Sequence, residues 1–143
     1  MGAQQKAEEL GIPFPTKEKG YLNLCVRSGK QLITSGHVSD IKGKLGASLS
    51  VEQGYQAARE CAVKILQSVH QAHGTLDGLR VLKLLGCVNS APDFVDGPKV
   101  LNGASDLMVA AFGDKGRHAR TTVGVASLPA DASVEVEGLF EVA

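Results

Sequence analysis

Arg120 stands after a glycine-bearing basic segment, Gly113 to His118, and opens an apolar stretch. A planar guanidinium so placed can fork onto a carboxylate, which the point charge of a lysine does less well. A surface salt bridge is the alternative use. Glu135 and Glu137 alternate with Val134 and Val136, so the two carboxylates share one face of a strand. If that face meets another subunit, a carboxylate there can bind Arg120 or hold a water; otherwise it is a solvated outer face. Thr34-Ser35-Gly36-His37 ends an apolar run with a hydroxyl and a glycine. Such a strand end can offer a backbone amide to a ligand, or simply turn the chain.

Other chemistry finds no support. The chain has no GxSxG, HExxH, P-loop or Rossmann glycine pattern, which argues against hydrolase triads, zincins and nucleotide-dependent enzymes. His37, His70, His73 and His118 lack ligand spacing, and His70 and His73 sit where a helix C-terminus favours solvated histidine. Cys25, Cys61 and Cys87 form no CxxC pair and read as reduced, buried apolar residues. Neither a metal nor an organic cofactor is expected. Fifteen basic residues balance fifteen acidic ones, so the chain has no general attraction to nucleic acid, and its one basic patch, Lys115 to Arg120, is small. No apolar run approaches a membrane span and no signal-type segment opens the chain, so the cytoplasm is the expected location and no membrane partner is expected.

The elements that must position these residues follow from periodicity and turn chemistry. Residues 4–10 suit a short helix stopped by Gly11 and Pro13, within a partly helical or loose extension over residues 1–20 of a single 1–143 domain. Leu24-Cys25-Val26 and Leu32-Ile33-Thr34 flank Ser28-Gly29-Lys30 as a hairpin. Ser50 and Gln53 make a capping box before a helix whose apolar face reads Val51, Tyr55, Ala58, Ala62, Ile65, Leu66 and Val69. Leu79 to Val88 reads as a strand covered on both sides, Asn89 to Pro98 as loop, and Val100 to Phe112 as a second helix. Thr121 to Ala126 and Val134 to Val142 are two more strands joined by the turn Leu128-Pro129-Ala130-Asp131. The order ββαβαββ predicts an α+β fold, a single mixed sheet with both helices on one face. Leu82, Leu84, Val123 and Val125 then supply more apolar surface than one covered face needs, and an apolar sheet face left open marks an interface between subunits.

Taken together, Leu32-Ile33-Thr34-Ser35-Gly36, Asn102, Ala119-Arg120-Thr121-Thr122-Val123 and Leu128-Pro129 with Val134-Glu135-Val136-Glu137 resemble the signature of the reactive-intermediate deaminase family, also called endoribonuclease L-PSP-like. The similarity runs from about residue 20 to the end. Gly86 to Phe94 and Asn102 to Leu107 resemble a divergent branch of that family. The resemblance implies a chorismate-mutase-like fold, a homotrimer with sites between subunits, and hydrolysis of small 2-imino or 2-enamino acids to 2-keto acids and ammonia. It assigns carboxylate binding to Arg120, the acid near the attacking water to Glu135, and further substrate contacts to Ser35, Gly36 and Asn102. Two positions depart from the family pattern: Thr122 stands for the usual cysteine, and Leu22 for a tyrosine that walls the pocket, with Tyr21 one residue earlier. A non-catalytic carboxylate-binding or chaperone-like trimer, and a ribonuclease, are the competing expectations.

Overall fold

The computed structural model describes all residues from Met1 to Ala143. In chain order the elements are α1 (Ala3–Glu9), β1 (Cys25–Ser28), β2 (Gln31–Thr34), β3 (His37–Val38), α2 (Val51–His73), β4 (Leu79–Asn89), α3 (Gly97–Phe112), β5 (Ala119–Val125) and β6 (Val134–Val142). All strands join one sheet in the order β1-β2-β6-β4-β5, with β3 added to the end of β6. Only β4 and β5 run parallel; the remaining pairs are antiparallel. This is the mixed α+β architecture expected, including the short N-terminal helix, with β3 as the one addition. A two-residue strand is too short to show a period.

α2 opens on the capping box of Ser50 and Gln53 and ends at Gly74 in the left-handed region. Its buried face is Gly54, Ala57, Ala58, Cys61, Ala62, Ile65, Leu66 and Val69. Val51 and Tyr55 lie at its edge, and the Tyr55 hydroxyl donates to Asp106 Oδ2 on α3 at 2.6 Å. α3 starts at Gly97, earlier than the sequence predicts, because Pro98 occupies the first turn, where a missing N–H costs no helical bond. α3 also lies very close to its neighbours. A Cβ at Gly103 would collide with the Tyr55 carbonyl of α2, and one at Gly86 with the Leu101 side chain.

The partial alternation of β4 has a local cause. A bulge between Val81 and Lys83 shifts the register against β6, so parity changes at Leu82. Leu79 and Val81 before it, and Leu84 and Val88 after it, all enter the core beneath the helices. Leu84 therefore belongs to the covered face, a correction to its assignment to the open one. The open face carries Ile33, Leu85, Cys87, Glu135, Glu137 and Leu139 around shallow depressions. Val123, level with Cys87, adds to that face, and it and Ile33 are each 41% exposed. No helix is long and apolar enough to cross a membrane.

One buried polar link joins sheet to helix. His37 on β3 meets the Ser35 carbonyl through Nδ1 at 2.6 Å and Ser68 Oγ of α2 through Nε2 at 2.7 Å. A carbonyl only accepts, so Nδ1 carries the proton and Nε2 accepts from the Ser68 hydroxyl. Burial pushes the His37 pKa down, opposed by the Ser35 carbonyl and assisted by the charges of Lys17 and Lys64.

Two outcomes follow for stability. Gly103→Ala forces α3 off α2 and should cost about 1–3 kcal/mol, read as a lower urea midpoint at unchanged slope; an unchanged midpoint would show that the helices separate freely. The folded state disfavours protonated His37, so its contribution is complete above the unfolded pKa of about 6.5 and is lost as pH falls toward the lower folded value. Unfolding free energy measured from pH 7.5 down to 5 should fall less steeply in His37→Gln than in the parent chain. Equal slopes would place the acid sensitivity elsewhere.

Candidate active site

Arg120 sits on β5, an edge strand, in register with Leu84, and its side chain takes the helix side of the sheet. Nη1 donates to Asn102 Oδ1 at 2.9 Å and to Ser105 Oγ at 3.1 Å, and Nη2 donates to the Pro98 carbonyl at 3.3 Å. All three partners lie on α3, with Asn102 and Ser105 one turn apart on the same face. None is charged. The ion pairs of the chain are Lys64–Asp40, Lys99–Asp96 and Arg117–Asp114, so the half-buried Arg120 guanidinium keeps its positive charge unneutralised. Thr122, two residues on, shares this side of β5. Its Oγ1 is shut off from solvent and makes no hydrogen bond, while its methyl group lies against Gly97 at the start of α3.

A second group gathers where β2, β3 and β6 meet. Glu135 pairs with Val38 and with Cys87, and its carboxylate lies over Gly36 so closely that a Cβ there would strike Oε2. Gly36, Leu85, Cys87, Glu135 and Glu137 line one depression of the open face. The Ser35 amide donates to the Leu24 carbonyl at 2.9 Å and its hydroxyl to the Asn23 carbonyl at 2.8 Å. The hydroxyl hydrogen is thus spent on holding β1 in place, which leaves a ligand only its lone pairs. Leu22 is 63% exposed and lines a different groove, with Lys17, Cys25, Ser68 and Gln71.

Apart from Leu22, the sequence-predicted residues fall into two sets, Arg120, Asn102 and Thr122 on the helix side and Glu135, Gly36 and Ser35 around the meeting of β2, β3 and β6. Strand alternation keeps the sets apart, since Arg120 is level with core residue Leu84 while Glu135 is level with Cys87. Sequence reasoning missed Ser105 and His118. Ser105 Oγ lies 2.9 Å from His118 Nε2, and His118 Nδ1 lies 2.6 Å from the Gly116 carbonyl. Both were open to detection, Ser105 as the residue one helical turn after Asn102 and His118 as the residue two before Arg120 at strand period. The Gly86 to Phe94 segment finds a structural use. Asn89 accepts from Lys44 Nζ at 2.6 Å and donates to the Ala132 carbonyl at 3.2 Å, and Phe94 packs on Gly46. It fixes the loops at the far end of β4.

The chain is similar to known proteins along nearly its whole length. Residues 7–141 match the family model described as "YjgF/chorismate_mutase-like, putative endoribonuclease". Protein TCP17 of Trypanosoma cruzi is 45% identical over 144 residues, covering 94% of this chain and 90% of the relative. Among solved structures, Atu1372 of Agrobacterium tumefaciens, a protein of unknown function, is 38% identical with a TM-score of 0.90, over 99% of this chain and 92% of that one. A Shewanella oneidensis protein given the same endoribonuclease description is 28% identical with a TM-score of 0.91, over 99% and 100% of the two chains. More distant in sequence, Escherichia coli TdcF with bound serine shares the fold at 20% identity and a TM-score of 0.55, over 90% and 92%. The family-model match over residues 7–141, with a relative 45% identical over nearly the whole chain, makes this chain a member of the YjgF/chorismate-mutase-like family.

Proposed function

We propose that the protein is a homotrimeric deaminase that hydrolyses small 2-imino or 2-enamino acids to 2-keto acids and ammonia, with each site shared between two subunits. The observation that carries this reading is the Arg120 guanidinium, oriented by three neutral acceptors and left without a carboxylate partner. A positioned, uncompensated, half-buried cation suits a ligand anion, and charge-assisted forked bonds to a carboxylate are the strongest it can make. The orphan Thr122 hydroxyl beside it is a group that a ligand would satisfy. Serine bound to the distantly similar TdcF is a small carboxylate of this class.

The opposite-face placement of Glu135 motivates the shared site. β5 is an edge strand and the open face is apolar, so a neighbouring copy packed across both brings its own Glu135 toward Arg120. Burial of that face would supply about 25 cal/mol per Å². Arg120 fixes the substrate carboxylate and so aims C=N at a bound water. Glu135 accepts a proton as the water oxygen bonds to the imine carbon, and the proton moves to nitrogen. The carbinolamine then collapses: its hydroxyl proton passes to nitrogen by way of Glu135, its C–N bond breaks, and ammonia leaves behind a C=O. The chemistry asks for no electron transfer.

Arg120→Ala should lower carboxylate affinity by roughly thirty- to a thousandfold, the equivalent of about 2–4 kcal/mol. Glu135→Gln should reduce turnover more than binding, measured as ammonia released from enamines generated in situ. Binding without ammonia release in the parent chain would instead make this a carboxylate-binding protein. Mixing the two impaired variants under subunit exchange should raise activity above that of either alone, because mixed trimers contain sites with both groups intact; no recovery would sink the shared site. Val123→Asp, a charge on the open face, should shift sedimentation from three chain masses to one and abolish turnover with it. A monomer of either protein that still released ammonia would refute the trimeric mechanism.

A further inference from the structure

His118 has no part in the mechanism above, yet it ends a hydrogen-bonded series that begins at Arg120. Arg120 Nη1 meets Ser105 Oγ at 3.1 Å, Ser105 Oγ meets His118 Nε2 at 2.9 Å, and His118 Nδ1 meets the Gly116 carbonyl at 2.6 Å. A carbonyl only accepts, so His118 carries a hydrogen on Nδ1. In the neutral ring Nε2 is then the acceptor, and because the guanidinium only donates, the Ser105 oxygen accepts from Arg120 and gives its single hydrogen to His118 Nε2. One neutral tautomer meets all three contacts. The half-buried setting agrees with it: burial, and then the charge of Arg120, push the His118 pKa down against the pull of the Gly116 carbonyl.

We infer that His118 is a positioning residue which, through the Ser105 hydroxyl, holds the Arg120 guanidinium in the orientation that receives a substrate carboxylate. The inference rests on the reading of Arg120 as the carboxylate binder and extends it to groups that never touch the ligand. Without an acceptor at His118 Nε2, the Ser105 hydroxyl is free to rotate, and its hydrogen then competes with Nη1 for the space between them. Arg120 would retain Asn102 and the Pro98 carbonyl but lose the contact that locks its roll. A hydroxyl oxygen already accepting from a cation is a poor nucleophile, so the Ser105–His118 pair serves orientation and not covalent catalysis.

The experiment compares His118→Leu, which removes the acceptor, with His118→Gln, whose amide oxygen reaches the Nε2 position, and with Ser105→Ala. Pyruvate is the probe, titrated calorimetrically against the assembled protein, with Arg120→Ala as the reference. Affinity should fall about tenfold in His118→Leu and Ser105→Ala, recover in His118→Gln, and fall no further in the double variant, because both changes break one series. KM should rise in the same order with kcat little changed. Additive losses, or equal loss in Gln and Leu, would overturn the inference. A second readout needs no ligand. Nitrogen NMR of the parent chain should show His118 protonated at Nδ1 and slow exchange of the Arg120 guanidinium hydrogens, with fast exchange in His118→Leu. If Arg120→Ala binds pyruvate as the parent does, the carboxylate reading fails, while the NMR comparison still decides whether His118 orients Arg120. An Nε2-protonated imidazole, or unchanged Arg120 exchange in His118→Leu, would dismiss it.

Discussion

The depth to which α3 sinks between α2 and the sheet sets the geometry of the Arg120 end. Leu101 is seated on the bare backbone of Gly86, and Gly103 rests against the Tyr55 carbonyl. Asn102 lies between these two clamped residues and has little freedom in position. Ser105 follows one turn later. A guanidinium that depends on Asn102, Ser105 and the Pro98 carbonyl is thus held by the packing of glycines that touch no ligand. In close-packed interiors a single added methyl group is felt, so this end of the molecule converts core packing directly into the orientation of a surface charge.

The sheet imposes the second constraint. Alternation puts Arg120 and Glu135 on opposite faces, and no local adjustment of rotamers can bring them together in one chain. One face is sealed by helices, which lets α3 supply neutral acceptors to the arginine. The other is left apolar with carboxylates between the apolar residues, a surface suited to contact but not to solvent alone. Keeping acid and base apart also keeps them from neutralising each other as an internal ion pair.

How far the sequence was legible depended on the length of each signal. The capping box of Ser50 and Gln53 and the long period behind it located α2 closely, and the alternation of Val134, Val136 and Phe140 located β6. β3 was too short to show a period. Pro98 looked like a loop residue because proline breaks helix interiors, although it is tolerated in the first turn. The bulge near Leu82 reversed parity midway along β4, which is why Leu84 was credited to the wrong face. At the site, residue type and spacing were enough to mark Arg120, Glu135 and Gly36 as candidates, and the family resemblance added Asn102. They could not show that the Ser35 hydrogen is committed to Asn23, or that Ser105 and His118 touch each other.

The series from Arg120 to Gly116 has a polarity as well as a geometry. Every N–H and O–H in it points away from the guanidinium, so the bond dipoles line up head to tail and each polarises the next. Their negative ends face the arginine and draw some of its field inward along the series. The result is a soft electrostatic cushion behind a hard charge: the cation is supported without a counter-ion, and keeps most of its attraction for whatever anion arrives from the other side.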